Sequence, residues 1–441
     1  MSALRRGACP RIATPMPTGD GLLARLPPQG TLSIANLIAL CDAALECGNG
    51  VLEVTQRGSL QVRGLSYTSA PLFARRVFSL GLAAEDGPQV LASPLMGFDA
   101  HEQMDLGAVL LEVRAGLTDH AALKSLNPKV STLLDGGGAL NLDGLSGDLR
   151  LRAVSDSRLL VNIAGDASTA TTLGTIEPGH AADVAVRILT AIAALGSHAR
   201  ARDLTVGNDV AILRRSLAHL MSFAPVQHQA TPAAQPIGMH HSYDGRLALG
   251  IALAFGHTDA TTLRQLALLA AERDATSIET APGRALLVVG LHARGAQELS
   301  AAAAKLGFIV WPDDPRRFVV ACAGAPACGS AKLATRVAAP EFARAASAML
   351  DGSITIHLSG CSKGCAHPGP AAITFVGPDG LVLQGRACDQ SHIAVSVDRA
   401  ISGLAHLNAD RHRSSDLSAD SAAVLSRLGI RGVLAAMRLT P

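Results

Sequence analysis

The sequence predicts an α+β fold in which two copies of a half-domain pair about a pseudo-two-fold axis, each followed by a larger α/β lobe. Two observations carry this reading. Residues Gly19–Leu65 and Tyr243–Leu291 share one order of elements: strand, helix, strand, turn, strand. The offset is 224 at the start (Tyr243 against Gly19) and 226 at the end (Leu291 against Leu65), the mark of an internal duplication. The 441-residue chain is 48% hydrophobic and only 17% charged, so several apolar cores can form and extensive disorder is excluded.

In the first copy, Gly19–Leu26 reads as a strand. Ser33 is a good N-cap, and Ile34, Leu37, Ile38, Cys41 and Leu45 recur on one helical face. Gly48 stands where a left-handed residue would close that helix. Gly50–Thr55 and Ser59–Leu65 read as strands around a tight turn. In the second copy Tyr243–Gly250 is the opening strand, and Thr258 or Asp259 caps a helix whose buried stripe is Leu263, Leu266, Ala267 and Ala270. Ser277–Thr280 and Ala285–Leu291 complete the pattern. One half alone leaves a sheet edge unpaired, so the two copies are expected to pair despite their separation in sequence. The segment Ser222–Gln235, rich in Pro, Gln and Ala, reads as the linker between them. The expected units are therefore 1–66, 67–224, 225–291 and 292–441. Asp135-Gly-Gly-Gly138 in the first lobe reads as a tight turn, because no dinucleotide-loop spacing surrounds it.

Composition excludes several function classes. A net charge of +2 and 3% aromatic residues argue against a nucleic-acid partner. No apolar run is long enough to span a bilayer, so no membrane partner is expected. Met1–Arg6 is followed by no apolar core segment of the secretory kind, and the expectation is a cytoplasmic chain with free thiols.

The chemistry gathers in the last third. Cys322 and Cys328 are separated by five residues, and Cys361 and Cys365 by three. Four thiolates on two short loops can enclose a cubic [4Fe-4S] cluster, one ligand to each iron. The neighbours Ala323, Gly324, Gly329, Gly360 and Gly364 are small enough to let backbone N–H groups reach cluster sulfurs. Structural zinc is the alternative, although its knuckles favour two to four intervening residues. Cys9, Cys41, Cys47 and Cys388 are scattered, and Cys41 reads as a small core residue.

With the two cysteine pairs, the duplication and the run Thr55-Gln-Arg57-Gly-Ser-Leu-Gln61-Val-Arg63-Gly64, the chain resembles the sulfite and nitrite reductase family over nearly its whole length. That resemblance implies ferredoxin-like half-domains and a cluster beside a tetrapyrrole. It implies an active-site role for Arg57 and tetrapyrrole contacts for Gln61 and Arg63. A matching oxyanion-binding role falls on Lys129. Ser131 stands where a second lysine would be, and Gly87–Ser93 lacks the family's upstream arginine. Sulfite is a dianion, and a site without those cations stabilises its reduction less. The form Cys361-Ser-Lys-Gly-Cys365-Ala-His-Pro368, together with Gly7–Pro10 and Asn127–Gly138, is similar instead to the precorrin-3B synthase family, the cobalamin-pathway branch of the same superfamily.

This second resemblance implies precorrin-3A and dioxygen as substrates. C20 would be hydroxylated and an acetate closed onto C1 as a γ-lactone. It also implies substrate contacts for Lys363 and His367 and no tightly bound sirohaem. A further mononuclear non-haem iron would draw on His240, His241, His257, His357 or His367 with Asp135 or Asp244. No nucleotide or flavin signature is present, so an external ferredoxin or NADH-dependent reductase would supply electrons. A sirohaem-dependent reductase and an iron–sulfur electron carrier are the alternatives.

Overall fold

The short strand ahead of each repeated helix crosses to the other copy, and this exchange organises the molecule. The computed structural model describes residues 10–441 except 29–30, 83–86, 119, 225–230, 233, 379, 414–418 and 440–441. Gly7–Cys9 of the N-terminal motif lie outside the described residues. The first copy comprises β1 (Met16–Thr18), β2 (Gly21–Leu26), β3 (Leu32–Ser33), α1 (Ile34–Cys47), β4 (Val51–Val54), β5 (Leu60–Leu65) and α2 (Ala70–Ser79). The first lobe adds β6 (Gln89–Ala92), α3 (Gly107–Thr118), β7 (Ser131–Asp135), β8 (Gly147–Ala153), β9 (Leu159–Gly165), β10 (Thr171–Ile176), α4 (Ala181–Ala194), α5 (Asp209–Ser216) and β11 (Met221–Ser222). The second copy comprises β12 (Gly238–His241), β13 (Leu247–Ala252), β14 (His257–Asp259), α6 (Ala260–Ala271), β15 (Ser277–Ala281), β16 (Ala285–Leu291) and α7 (Ala293–Lys305). The second lobe holds β17 (Val319–Ala321), α8 (Thr335–Ala345), β18 (Ile356–Ser359), β19 (Ala371–Val376), β20 (Gly380–Gly385), α9 (Val397–Arg413) and α10 (Ser421–Ala436).

The two five-stranded sheets run β1-β2-β5-β4-β14 and β12-β13-β16-β15-β3. Thus β14 of the second copy closes the edge of the first sheet, with His257 opposite Glu53, and β3 returns the exchange beside β15. Each otherwise open edge is capped by the partner repeat, which removes the unpaired donors and acceptors of a lone half. Helices α1 and α6 pack together between the sheets, and Leu37, Leu40, Leu263 and Leu266 lie in one continuous core. The Ser33 hydroxyl accepts from Asn36 N and Asp259 from Thr262 N, so of the two candidates Asp259 is the second cap.

Four expectations need correction. Gly48 is extended (φ −120°, ψ −158°), not left-handed. It must be glycine because a Cβ there would lie 2.4 Å from the Arg63 carbonyl oxygen, and the left-handed turn falls instead at Gly50 (φ 77°). Leu45 is 44% exposed, and the buried face of α1 is completed by Leu40, Ala43, Ala44 and Cys47. The boundaries drawn after 66 and 291 fall one helix early. Phe73 and Val77 of α2, and Leu299 and Ala303 of α7, are buried in the core of the duplicated domain. Ser222 lies in β11, so the linker begins after it. Thr231 N and Ala234 N then donate to Asp143 and to the Ala139 carbonyl of the first lobe.

The two lobes repeat as well. In the first, β6, β7 and β8 are successive parallel neighbours and β9 is antiparallel to β8; in the second, β17, β18 and β19 are parallel and β20 is antiparallel to β19. The loops that follow β17 and β18 carry the cysteine pairs. Their counterparts follow β6 and β7.

Candidate active site

Parallel neighbours end side by side, so β17 and β18 deliver Cys322 and Cys361 to one place. The Gly360 N–H donates to Cys322 Sγ at 3.2 Å, and a Cβ on Gly360 would lie 2.5 Å from Ala331 Cβ. Glycine is thus what lets the backbone reach this sulfur. Thr335 Oγ1 donates to the Cys322 carbonyl at 2.7 Å, and Cys328 N to the Gly324 carbonyl at 2.7 Å, which fixes the first loop. Partial desolvation pushes the Cys365 thiol up, and Cys361, Cys322 and Cys328 push it further in the same direction, so the other three sulfurs lie within electrostatic reach of Cys365. Four free thiols with a backbone N–H aimed at one of them fit a four-thiolate cluster, which needs one ligand per iron and gains from donors to sulfur.

The first copy of the repeat grips this lobe. The Gly19 N–H donates to the Ala327 carbonyl at 3.1 Å, where a Cβ would collide with Pro326 O at 2.3 Å. Arg63 Nη2 donates to the same carbonyl at 2.5 Å. Arg63 also bonds Asp20 through Nε at 3.0 Å and Nη2 at 2.9 Å, and Glu53 through Nη1 at 3.2 Å. The expected tetrapyrrole contact by Arg63 has to be weighed against these bonds. Although it lines the cavity, its fork is committed to two carboxylates and a cluster-loop carbonyl.

A cavity of about 400 Å³ lies between the first sheet, the two lobes and the β15–β16 hairpin. That is within the range of small-molecule sites. Cys322 and Cys365 form one wall, and Arg25, Gln61 and Glu53 project from the sheet. The Gln61 amide, oriented with its nitrogen toward Glu53, donates to that carboxylate at 2.6 Å and accepts from Arg25 at 2.6 and 2.7 Å. Arg336 also bonds Glu53, at 2.5 Å. Arg57 enters from the β4–β5 hairpin; its Nη2 donates to Ser131 Oγ at 3.2 Å, and burial pulls its pKa down. Gln89 and Leu91 of β6 line the adjoining wall.

Three other expected contacts are not brought here. Lys129 is exposed in the turn before β7, and its place beside Arg57 is taken by Ser131. Lys363 is exposed and its Nζ donates to Ser330 Oγ at 3.0 Å. His367 Nε2 bonds the Pro370 carbonyl at 3.1 Å and the ring faces His357 at 5.6 Å, behind the loop. The iron-ligand candidates scatter as well. Asp135 is bound to Arg152 at 2.8 Å, Asp244 sits in an exposed turn, and His240 bonds the Pro236 carbonyl. Among the described residues no two of these histidines converge with a carboxylate on one ion.

The mirror position shows why a duplicated fold has this arrangement on one side. Ladder register places Gln61 opposite Glu53, and Leu287 opposite Glu279, so Leu287 and Val289 correspond to Gln61 and Arg63. There Leu95, Leu140, Leu287 and Val289 form a small apolar core. The counterpart of the cluster loops is closed by carboxylates: Gly97 N donates to Glu102 at 2.6 Å and Ala139 N to Asp99 at 2.6 Å. Burial first, then Asp105, Asp99 and Asp135, push the Glu102 carboxyl from 4.5 up to about 7. A raised folded-state pKa means that the folded protein binds the extra proton between those values. Stability is present below pH about 4.5 and declines as pH rises toward about 7. Glu102→Gln should flatten that decline and raise the melting temperature at pH 8. An unchanged pH profile would show that Glu102 is ionised in the fold.

Comparison with known proteins now settles the lineage. The chain is 35% identical over 443 aligned residues to a precorrin-3B synthase from Sinorhizobium sp, covering 99% of this chain and 95% of the relative. The chain belongs to the precorrin-3B synthase family. The family model of the nitrite/sulfite reductase ferredoxin-like half domain matches residues 14–77, a span that includes α2. Precorrin-3B synthases thus share a superfamily with more distant relatives. A sulfite reductase [ferredoxin] 2 of Mycolicibacterium paratuberculosis is 26% identical, over 76% of this chain and 66% of its own length. The Mycobacterium tuberculosis NirA structure superposes with a TM-score of 0.74 at 20% identity, over 93% of this chain and 84% of that one, which shows a common fold. In this precorrin-3B synthase family member, sequence reasoning passed over Asp20, Glu53 and Arg336. Glu53 was marked by Glu279, its counterpart in the second copy.

Proposed function

We propose that this protein hydroxylates precorrin-3A at C20 with dioxygen and closes an acetate onto C1 as a γ-lactone, in the aerobic route to cobalamin. The balance takes one dioxygen, two electrons and two protons, places one oxygen in the product and releases one water. The observation that carries this reading is the cavity itself: Cys322 and Cys365 on one wall and a cationic sheet face opposite, with Ser131 and Gln89 where an oxyanion clamp would need cations. Such a lining suits a macrocycle with acetate and propionate arms better than a small dianion. Membership of the precorrin-3B synthase family supports the choice of substrate.

A [4Fe-4S] cluster on Cys322, Cys328, Cys361 and Cys365 would supply electrons one at a time. Cys365 is exposed, which suits delivery from an external ferredoxin or NADH-dependent reductase. Arg57 binds a substrate carboxylate, with Ser131 fixing its guanidinium. The network of Gln61, Glu53, Arg25 and Arg336 makes the sheet wall of the cavity polar. No residue set for a second, non-haem iron is assembled among the described residues.

Protein purified without oxygen should contain iron and acid-labile sulfide in equal amounts, absorb broadly in the brown region, and convert precorrin-3A when reductant and oxygen are supplied. An intense sirohaem band in the purified protein would favour a reductase, and zinc without sulfide would overturn both readings. Arg57→Ala should lower turnover tenfold to a hundredfold, roughly the worth of one charged hydrogen-bonding partner. Its cluster iron should be unchanged; iron lost in that variant would assign Arg57 to the cluster lobe instead.

A further inference from the structure

The second copy contributes its own cation to the cavity, at a place where the backbone alone would ask for glycine. Arg284 sits at the tip of the β15–β16 hairpin and lines the cavity with Arg57. Its φ is 63°, in the left-handed region that an arginine adopts only at a cost. By ladder register its counterpart in the first copy is Gly58, which takes φ 80° without strain. The two hairpins touch, the Gly283 N–H donating to the Gln56 carbonyl at 3.0 Å. Arg57 and Arg284 therefore enter one cavity from adjoining turns.

The neighbouring cations are held within the protein. Arg63 is bound to Asp20 and Glu53, Arg336 to Glu53, and Arg25 to the Gln61 amide. Arg284 has a single partner among the described residues, the Ala366 carbonyl at 3.3 Å, and burial alone pulls its pKa down with no carboxylate to offset it. Among the described residues Arg57 is likewise without an ion pair; the carboxylate acting on it, Asp148, is taken by Arg200 at 2.8 and 2.9 Å. A desolvated guanidinium in a strained turn is a local conflict that a ligand would explain.

We infer that Arg284 is a substrate-binding residue that takes one carboxylate of a tetrapyrrole while Arg57 takes another, so that the two copies of the repeat clamp the macrocycle between their hairpins. This rests on the tetrapyrrole reading of the cavity. The chemical class it selects is a macrocycle with at least two carboxylate arms.

The test uses full-length protein carrying its cluster and uroporphyrin III, an octacarboxylate porphyrin, as the probe. Arg284→Gly removes the cation and relieves the backbone. Uroporphyrin affinity should fall about tenfold to a hundredfold while the melting temperature holds or rises. Arg284→Lys, a point charge without the fork, should bind with intermediate affinity. Wild-type affinity in Arg284→Gly would overturn the assignment and leave the tetrapyrrole reading standing. Weaker binding accompanied by lost iron or a lower melting temperature would overturn it too, by assigning Arg284 to holding Ala366. A wild-type protein that does not bind uroporphyrin III would overturn the tetrapyrrole reading itself.

Discussion

Cys361→Ser is expected to bleach the protein and abolish turnover together. Cys361 follows β18 directly after Gly360, whose N–H is already spent on Cys322 Sγ. A serine there offers a hard oxygen in place of a soft thiolate, and iron in a sulfide cluster holds the latter far better. With one corner open, a cluster held by the remaining three cysteines would be easier to lose, Cys365 being exposed. Iron and sulfide should both drop well below the wild-type level, and the brown band should fade. The fold itself should persist. The core of the second lobe is built around Phe342, Ile356, Ile373 and Phe375, and no cysteine belongs to it. Full colour with full activity in Cys361→Ser would remove the cluster from the proposal, and activity retained without colour would separate the cluster from turnover.

The contrast between what was legible and what was not follows from range. The repeat could be read because helix caps, stripes and turn glycines are local, and both copies show them. The cysteine pairs could be read because ligand spacing on a loop is local as well. The exchange of β3 and β14 could not, since strands of two and three residues carry no periodicity and their partners lie more than 200 residues away. The bonds of Arg63 were hidden for the same reason. Its spacing matches a binding motif, but its carboxylates are Asp20, 43 residues upstream, and Glu53 on the next strand. Lys129, Lys363 and His367 were placed by resemblance of motif, and motif spacing says nothing about which side of a turn a long side chain leaves. Arg284 was missed because Pro282-Gly283-Arg284 reads as an ordinary turn. Only its alignment with Gly58 shows that a glycine site has been given a charged side chain.

Arg63 also carries the second large effect. Arg63→Ala should destabilise the protein by about 3–5 kcal/mol, the usual cost of removing one partner from a buried ion pair. The Arg63 side chain is 4% exposed and its partners 14% and 10%. Glu53 keeps Arg336 and the Gln61 amide, so most of the loss falls on Asp20 and on the Ala327 carbonyl. Arg63→Lys should recover little, because one ammonium cannot reach Asp20, Glu53 and Ala327 together. Burial pushes the Asp20 carboxyl up, but Arg63, with Thr18 and Asn49, outweighs this and holds it below the ordinary 3.8. A depressed folded-state pKa contributes stability that is present above the unfolded value and lost as pH falls through the folded one. Wild type should therefore lose stability in acid below about pH 4, and Arg63→Ala should lose less of it there while melting lower at pH 7. Because Arg63 and Gly19 hold the Ala327 carbonyl from the first copy, the same variant should release cluster iron faster under a chelator. Wild-type melting at pH 7 with an unchanged acid profile would show that the first copy does not tie down the cluster loop, and that the grip between repeat and lobe runs through other contacts.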